Sequence, residues 1–288
     1  MKKRSNSVKS SLSWKITCLI VSIIFMTFAA IYIYLVFWLA MSTLKSHVEI
    51  AVHPFALPKK LRWHNFVEMF ELFNYADTSF LGMVWNSIWH SVGCTIVHVW
   101  SSASIAYISQ KYKNKFLKWI APFVMFTIIF PLYGTGGAGY RLVYKFGFAN
   151  SYSIMITAAQ FCTWNFFYFQ AFFTTLSWSY AEAAFIDGAN DWQVYYRVML
   201  PQSIGILGAI AITFWSSTWL DYGSQILYLT KMPTLSVGIF YFEKEMVYRA
   251  RMDILCCACF FSLIPVFALY FGFNNVLFKN ISLGGLKM

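Results

Sequence analysis

Long, nearly uninterrupted apolar runs separated by shorter polar stretches dominate the hydrophobic pattern of this chain. Six such runs lie near Ile16–Met41, Phe80–Ile108, Trp119–Tyr133, Tyr152–Phe173, Ile204–Leu229 and Ile254–Phe273. A hydrocarbon core about 30 Å thick takes about 20 apolar residues of helix, and the six runs meet or approach that length. They predict an all-α membrane protein built as a six-transmembrane-helix bundle. The third run is bracketed by Pro122 and Pro131 and followed by a glycine-rich stretch. It predicts a kinked helix whose freed backbone groups are satisfied by protein neighbours.

The first run follows Lys2, Lys3, Arg4, Lys9 and Lys15, the pattern that opens a signal peptide. A signal's apolar core spans only about 7–15 residues, so the longer run here predicts a retained first helix. Lysines also crowd the second-to-third connection at Lys111, Lys113, Lys115 and Lys118. Basic density beside short loops marks the cytoplasmic side, which predicts both termini inside. The longer outer loops carry basic residues too, among them Lys45, Lys59, Lys60, Arg62, Lys231, Lys244, Arg249 and Arg251. They balance these with Glu49, Glu68, Glu71, Asp77, Glu243 and Glu245. By the same count the fourth-to-fifth connection is cytoplasmic.

That connection is the polar, cap-rich segment Glu182–Pro201. Ser179 and Glu182 fit a capping box at a helix start, and Gly188 supplies the left-handed residue that ends that helix. Asn190 is placed to cap a second helix with Gln193 three residues on, and Pro201 to open the next. The segment predicts two short helices along the membrane face.

Composition supports a membrane protein: 59% of residues are hydrophobic, 21% aromatic and only 11% charged. The formal charge of +11 raises nucleic acid as a partner. However, the basic residues sit in short clusters beside apolar runs, which suits membrane lipid headgroups and argues against nucleic acid. Cys18, Cys94, Cys162, Cys256, Cys257 and Cys259 all lie in apolar runs, where cysteine behaves as a small hydrophobe. No metal site is expected from them.

The chain carries no nucleotide site of its own. Gly134-Thr135-Gly136-Gly137-Ala138-Gly139 is followed by Tyr140-Arg141, not by the lysine and hydroxyl of a phosphate loop, and predicts a flexible extracellular turn. No catalytic residue is expected either. His90 and His98 project about 80° apart on the second helix and no carboxylate accompanies them there, so satisfied or cavity-facing histidines are expected. His47, His53 and His64 in the first outer loop have no ligand spacing. An ion-coupled secondary transporter would place acids in mid-membrane. Only Asp221, toward the outer end of the fifth helix, approaches that, and a gate contact and a cap remain open for it.

A substrate path is harder to read. Gln160, Asn165, Trp215, Trp219 and Asp221 combine amides, an acid and ring faces of the kind that line sugar pockets. Tyr168, Gln170 and Gln225 recur on the same helices. Tryptophan and tyrosine also belt membrane interfaces, so both readings stand.

The string EAAFIDGANDWQVYYRVMLPQS resembles the EAA loop of ABC importer permeases, and more specifically the sugar-importer branch and its smaller maltose-type permease subunit. The resemblance runs from about Asn86 to the C-terminus and includes the terminal ISLGGLKM. It implies a type I ABC importer permease, one half of a heterodimeric pore for a sugar or oligosaccharide. It further implies a second permease subunit, a cytoplasmic ATPase dimer that carries the ATP and Mg²⁺, and an extracellular substrate-binding protein. Glu182, Ala183, Ala184, Gly188, Leu200 and Pro201 match the motif that couples to the ATPase. Asp187 and Ala189 match its sugar-branch extension. Two departures stand out: Val198 replaces the usual isoleucine, and Trp219-Leu220-Asp221 stands where the branch has Trp-Asn-Glu. The implied organisation is a basic cytoplasmic tail (1–15), a first transmembrane helix with its outer loop (16–79), permease core helices (80–279) containing a coupling segment (179–201), and a cytoplasmic C-terminal tail (280–288).

Overall fold

The computed structural model describes residues 12–112, 115–130, 136–249 and 251–281. Lys2, Lys3, Arg4, Lys9, Lys113, Pro131, Gly134, Thr135 and the tail from 282 onward therefore lie outside the described residues. In chain order the helices are α1 (Leu12–Ser42), α2 (His47–Val52), α3 (His64–Leu72), α4 (Phe80–Lys111), α5 (Ile120–Ile129), α6 (Gly136–Lys145), α7 (Trp164–Thr175), α8 (Ser179–Ile186), α9 (Asp191–Gln193), α10 (Leu200–Gln202), α11 (Ile204–Leu220), α12 (Gly223–Tyr228), α13 (Leu235–Arg249) and α14 (Met252–Ile281). A two-residue antiparallel ladder, β1 (Asn74–Tyr75) with β2 (Thr78–Ser79), closes the loop before α4.

Within the described residues all six apolar runs are largely helical, but the third is short and the fourth and fifth are interrupted. Among the described residues, Trp14–Ser42, Phe80–Lys111 and Met252–Phe273 are long and apolar enough to cross a membrane unbroken. The third run keeps ten helical residues in α5 behind a short 3₁₀ turn at Leu117–Trp119. The fourth divides into a 3₁₀ segment at Tyr152–Ala158 and α7. The fifth ends at Leu220, where Asp221 turns the chain into α12. The break between the 3₁₀ segment and α7 is tolerated because α4 satisfies it. His98 Nδ1 lies 3.3 Å from the Ala158 carbonyl, and Ser102 Oγ donates to the Gln160 carbonyl at 3.3 Å. The glycine-rich stretch also departs from expectation: from Gly136 onward it forms the first turns of α6 rather than a turn.

Helix α4 is the central rod, about 48 Å long, packed against α7, α11 and the 3₁₀ segment. Its two ends serve two separate cores. At one end Phe80 and Met83 join Met69, Phe73, Trp215, Trp219, Leu235, Phe242, Ile254 and Cys257. At the other Ala103, Ala106 and Tyr107 join Val124, Phe166, Phe169, Phe173, Ala181, Val194, Tyr195, Met199 and Ile210. Close approach at the first core depends on Gly238, where an added Cβ would fall 2.5 Å from Met83 Sδ. Helix α1 is peripheral, exposing nearly its whole apolar surface and packing only its far end near α14.

Candidate functional site

The segment between α7 and α11 is built almost entirely by local chemistry. Asp187 ends α8 and Gly188 follows at φ +82°, the left-handed region that favours glycine. The Gly188 N–H donates to the Phe185 carbonyl and the Ala189 N–H to the Ala184 carbonyl, both at 3.0 Å, which is a Schellman closure. Asn190 then caps α9: its Oδ1 accepts from the Gln193 N–H while the Gln193 side chain accepts from the Asn190 N–H, each at 2.9 Å. The Asn190 cap is the one expected from the sequence, and its reciprocal bonds make it a capping box.

One local expectation is corrected. Ser179 does not cap α8; Trp178 holds that position without a side-chain cap bond, and Ser179 instead pairs with Ser177 through their hydroxyls at 2.8 Å. Pro201 stands in the first positions of the next helix, as expected, although that helix is the short α10 and not the long α11. It follows a π-helical stretch, Val194–Met199, in which the Leu200 N–H reaches back to the Tyr195 carbonyl. A proline ring normally collides with the carbonyl four residues back, here that of Arg197, and the wider π turn relieves that crowding. The long helix starts only at Ile204, after a 76° bend at the buried Ser203.

The two short helices sit on the second core through Ala181, Val194, Tyr195 and Met199, all buried, with Ala184, Ala189 and Leu200 half-buried beside them. Glu182, Ala183, Asp187, Gly188 and Pro201 face outward. So do side chains that sequence reasoning missed: Ile186 is 86% exposed and Trp192 66%. Their signal was available, since both are large apolar residues in a segment too polar to lie in lipid. Between the helices a cleft of about 400 Å³ is lined by Asp187, Gly188, Gln193 and Arg197 among others.

Cross-links to α4 are few. Tyr112 donates its hydroxyl to Asp191 Oδ1 at 2.6 Å, and Ser104 Oγ lies 2.9 Å from the Tyr195 hydroxyl. Burial, reinforced by the Asp191 carboxylate, pushes the Tyr112 phenol well above its ordinary range. It therefore stays protonated and keeps donating. Of the three acids Glu182, Asp187 and Asp191 on this segment, Asp191 is thus already engaged.

The expected path residues do not gather in one place. Asn165 Nδ2 lies 2.9 Å from His98 Nε2, and the His98 ring stacks on Phe214 with centroids 3.9 Å apart. His98 is the satisfied histidine foreseen. Gln160 is exposed nearby and bonds the Thr157 carbonyl at 3.0 Å. Trp215 and Trp219 stack on each other at 5.1 Å but are buried in the first core, where Trp219 Nε1 donates to the Ser262 carbonyl of α14. Asp221 takes the capping option, accepting from the Gly223 and Ser224 backbone N–H groups at the start of α12.

Residues 78–282 match the family described as the binding-protein-dependent transport system inner membrane component. The chain belongs to that family. It is 25% identical over 254 residues to a diacetylchitobiose uptake system permease protein of Streptomyces coelicolor, covering 87% of this chain and 82% of that one. It is 23% identical to an arabinooligosaccharides transport system permease protein of Halalkalibacterium halodurans, covering both chains completely. Its fold matches a bacterial ABC transporter involved in import of the acidic polysaccharide alginate, with a TM-score of 0.75, 19% identity, and 92% and 98% of the two chains covered. The protein is a multi-pass membrane permease subunit with the type I ABC importer fold, and ATP hydrolysis lies on a separate subunit.

Proposed function

We propose that this chain is one half of a heterodimeric pore that imports a sugar or oligosaccharide, driven by a separate cytoplasmic ATPase that docks on Glu182–Pro201. One observation carries the docking role. A polar segment outside the apolar runs presents Ile186 and Trp192 to solvent beside Glu182 and Asp187, on helices whose mutual angle is fixed by Gly188 and the Asn190–Gln193 box. Large exposed apolar groups rimmed by charge mark a surface that another protein covers. The ATPase dimer supplies ATP and Mg²⁺, and a substrate-binding protein delivers the solute from outside.

The sugar class rests on relatives whose names specify diacetylchitobiose and arabinooligosaccharides. Gln160 and Asn165, near the middle of α4, are placed on the solute route. Trp215 and Trp219 back the helix that carries the route, and Asp221 shapes its outer end. Membrane orientation follows from docking: the Glu182–Pro201 face and both termini are cytoplasmic.

The test is co-purification of the ATPase with the tagged chain from cells expressing the whole transporter. Gly188→Val forces a β-branched residue into left-handed backbone, at about 1–2 kcal/mol, and Glu182→Lys reverses a rim charge. Both are expected to lose ATPase and uptake while inserting normally. Full ATPase recovery with normal uptake in both variants would refute docking. Gradient-driven solute uptake by the isolated chain would establish an ion-coupled transporter instead.

A further inference from the structure

The tryptophans expected to stack on a sugar are buried, yet one turn beyond them the structure displays a different set of rings. Tyr222 follows Asp221 at the end of α11 and stacks on Phe240 of α13, with centroids 4.7 Å apart and planes 17° apart. Phe240 meets Tyr241 edge-on at 5.4 Å, and Tyr241 stacks on Tyr75 of β1 at 4.4 Å and 11°. Four rings from three separate elements thus form one continuous ribbon. Its ends are open: Tyr222 is 46% exposed, and Tyr75, Phe240 and Tyr241 are each partly exposed.

We propose that this ribbon is a contact surface for the pyranose or furanose rings of the transported saccharide, with Tyr222 and Tyr75 offering the sugar-facing rings. The inference rests on the oligosaccharide reading given above and names residues that reading does not.

Three observations carry it. First, Tyr222 is nearly half exposed with one face stacked on Phe240, and Tyr75, packed against the first core and stacked on Tyr241, keeps part of its ring at the surface; such exposed ring surface suits the C–H side of a sugar ring. Second, hydroxyls line the edges of three of the four rings, giving polar contacts beside apolar ones, the mixture a sugar requires. Third, the ribbon lies on α13, which carries Glu243, Lys244 and Glu245 within two turns. Lys244 Nζ stands 4.1 Å over the Phe240 ring. These exposed charged groups set polar partners beside the rings on the same element. The Tyr75 phenol is pushed up to about 12, by burial first and by Tyr241 second. It remains a neutral hydroxyl at any physiological pH.

Backbone geometry fixes Tyr75 for this task. It precedes Ala76 and Asp77, both at positive φ (48° and 59°), in the tight turn between β1 and β2. The turn presents the ring against α13, and packing of Gly238 on Met83 and Phe73 holds α13 against α4.

The experiment measures uptake against concentration in vesicles containing the complete transporter, its binding protein and ATP, with diacetylchitobiose and arabinotriose as probes. Tyr222→Ala, Tyr75→Ala and the pair are compared with Tyr222→Phe, which keeps the ring. Each lost ring is expected to raise the half-saturating concentration about three- to tenfold, with little change in maximal rate, which corresponds to a ring contact of about 0.7–1.4 kcal/mol. Tyr222→Phe is expected to stay near the parent. Equal amounts of assembled complex and unchanged basal ATPase rates separate this from misfolding. Unchanged concentration dependence in the double variant, while the parent imports either probe, would overturn the ribbon alone. Failure of the parent to import any saccharide would overturn the oligosaccharide reading, and the ribbon with it.

Discussion

The two cores at opposite ends of α4 are held together by different means. The loop-end core is tied by side chains that reach across long stretches of sequence. Asn86 Nδ2 donates to the Pro233 carbonyl at 3.0 Å, Ser87 Oγ accepts from the Leu235 N–H at 2.8 Å, and Asn65 Nδ2 donates to the carbonyls of both Thr43 and Lys45. Arg251 pairs with Glu68 and, at 3.0 Å, with Asp253. Buried Lys45 donates to the Pro54 carbonyl at 2.9 Å. The core at the other end is chiefly aromatic packing. Phe166, Phe169 and Phe173 are fully buried, Tyr107 lies against Tyr195, and the mounted segment closes most of its polar bonds within itself. A clamped end and a self-contained, packed end suit different tasks. The first keeps loops in register; the second lets a preformed unit shift without breaking its own bonds.

Breaking the aromatic end should have the largest effect. Phe169→Ala removes a fully buried ring and is expected to cost about 3–5 kcal/mol, read as a lowered melting temperature of the solubilised chain. A loss under about 1 kcal/mol would mean that this core is loosely packed. A smaller effect is expected at Asn190→Ala, which deletes the cap of α9 at about 1 kcal/mol. Faster amide exchange at Asp191–Gln193, with none at Asn86 or Leu235, would sharpen the contrast between the ends.

The smallest effect belongs to the ion pair. Arg251 holds the Glu68 carboxyl below its ordinary value of 4.5, with lesser help from His64 and Arg62. A carboxylate lowered in the folded state contributes stability above its unfolded value, and that contribution fades as pH falls through the folded value. The pair is partly exposed, so the contribution is at most about 1 kcal/mol. Acidification below about pH 4.5 should therefore loosen the loop end first, seen as increased labelling of a reporter cysteine at Glu71. Glu68→Gln should show that looseness already at neutral pH and remove its pH dependence.

What the sequence made legible follows the same division. Gly188 and the Asn190–Gln193 box were readable because their bonds close within a few residues and depend on residue type alone. Ser179 misled because Ser177, two residues away, offered its hydroxyl a nearer partner. The interruptions at Ala159–Thr163 and Asp221 were invisible to apolar runs, since averaging over a window erases a break that neighbouring helices repair. Trp215 and Trp219 were chosen for their chemistry, and only the position of α14 shows that their faces are already covered. The Tyr222–Tyr75 ribbon joins residues far apart in sequence, so no local pattern announced it.

The 76° bend at Ser203 has a mechanical consequence. Helix α11 extends 17 residues beyond it, a rigid arm of about 25 Å. Its near end is fastened to the Glu182–Pro201 segment through the Ser203 hydroxyl, which donates to the Leu200 carbonyl at 2.7 Å. A rotation of about 10° at that elbow sweeps the far end, where Trp219 and Asp221 stand, through about 4 Å. The short arm therefore needs only a slight turn to move the long one by nearly the width of a sugar ring.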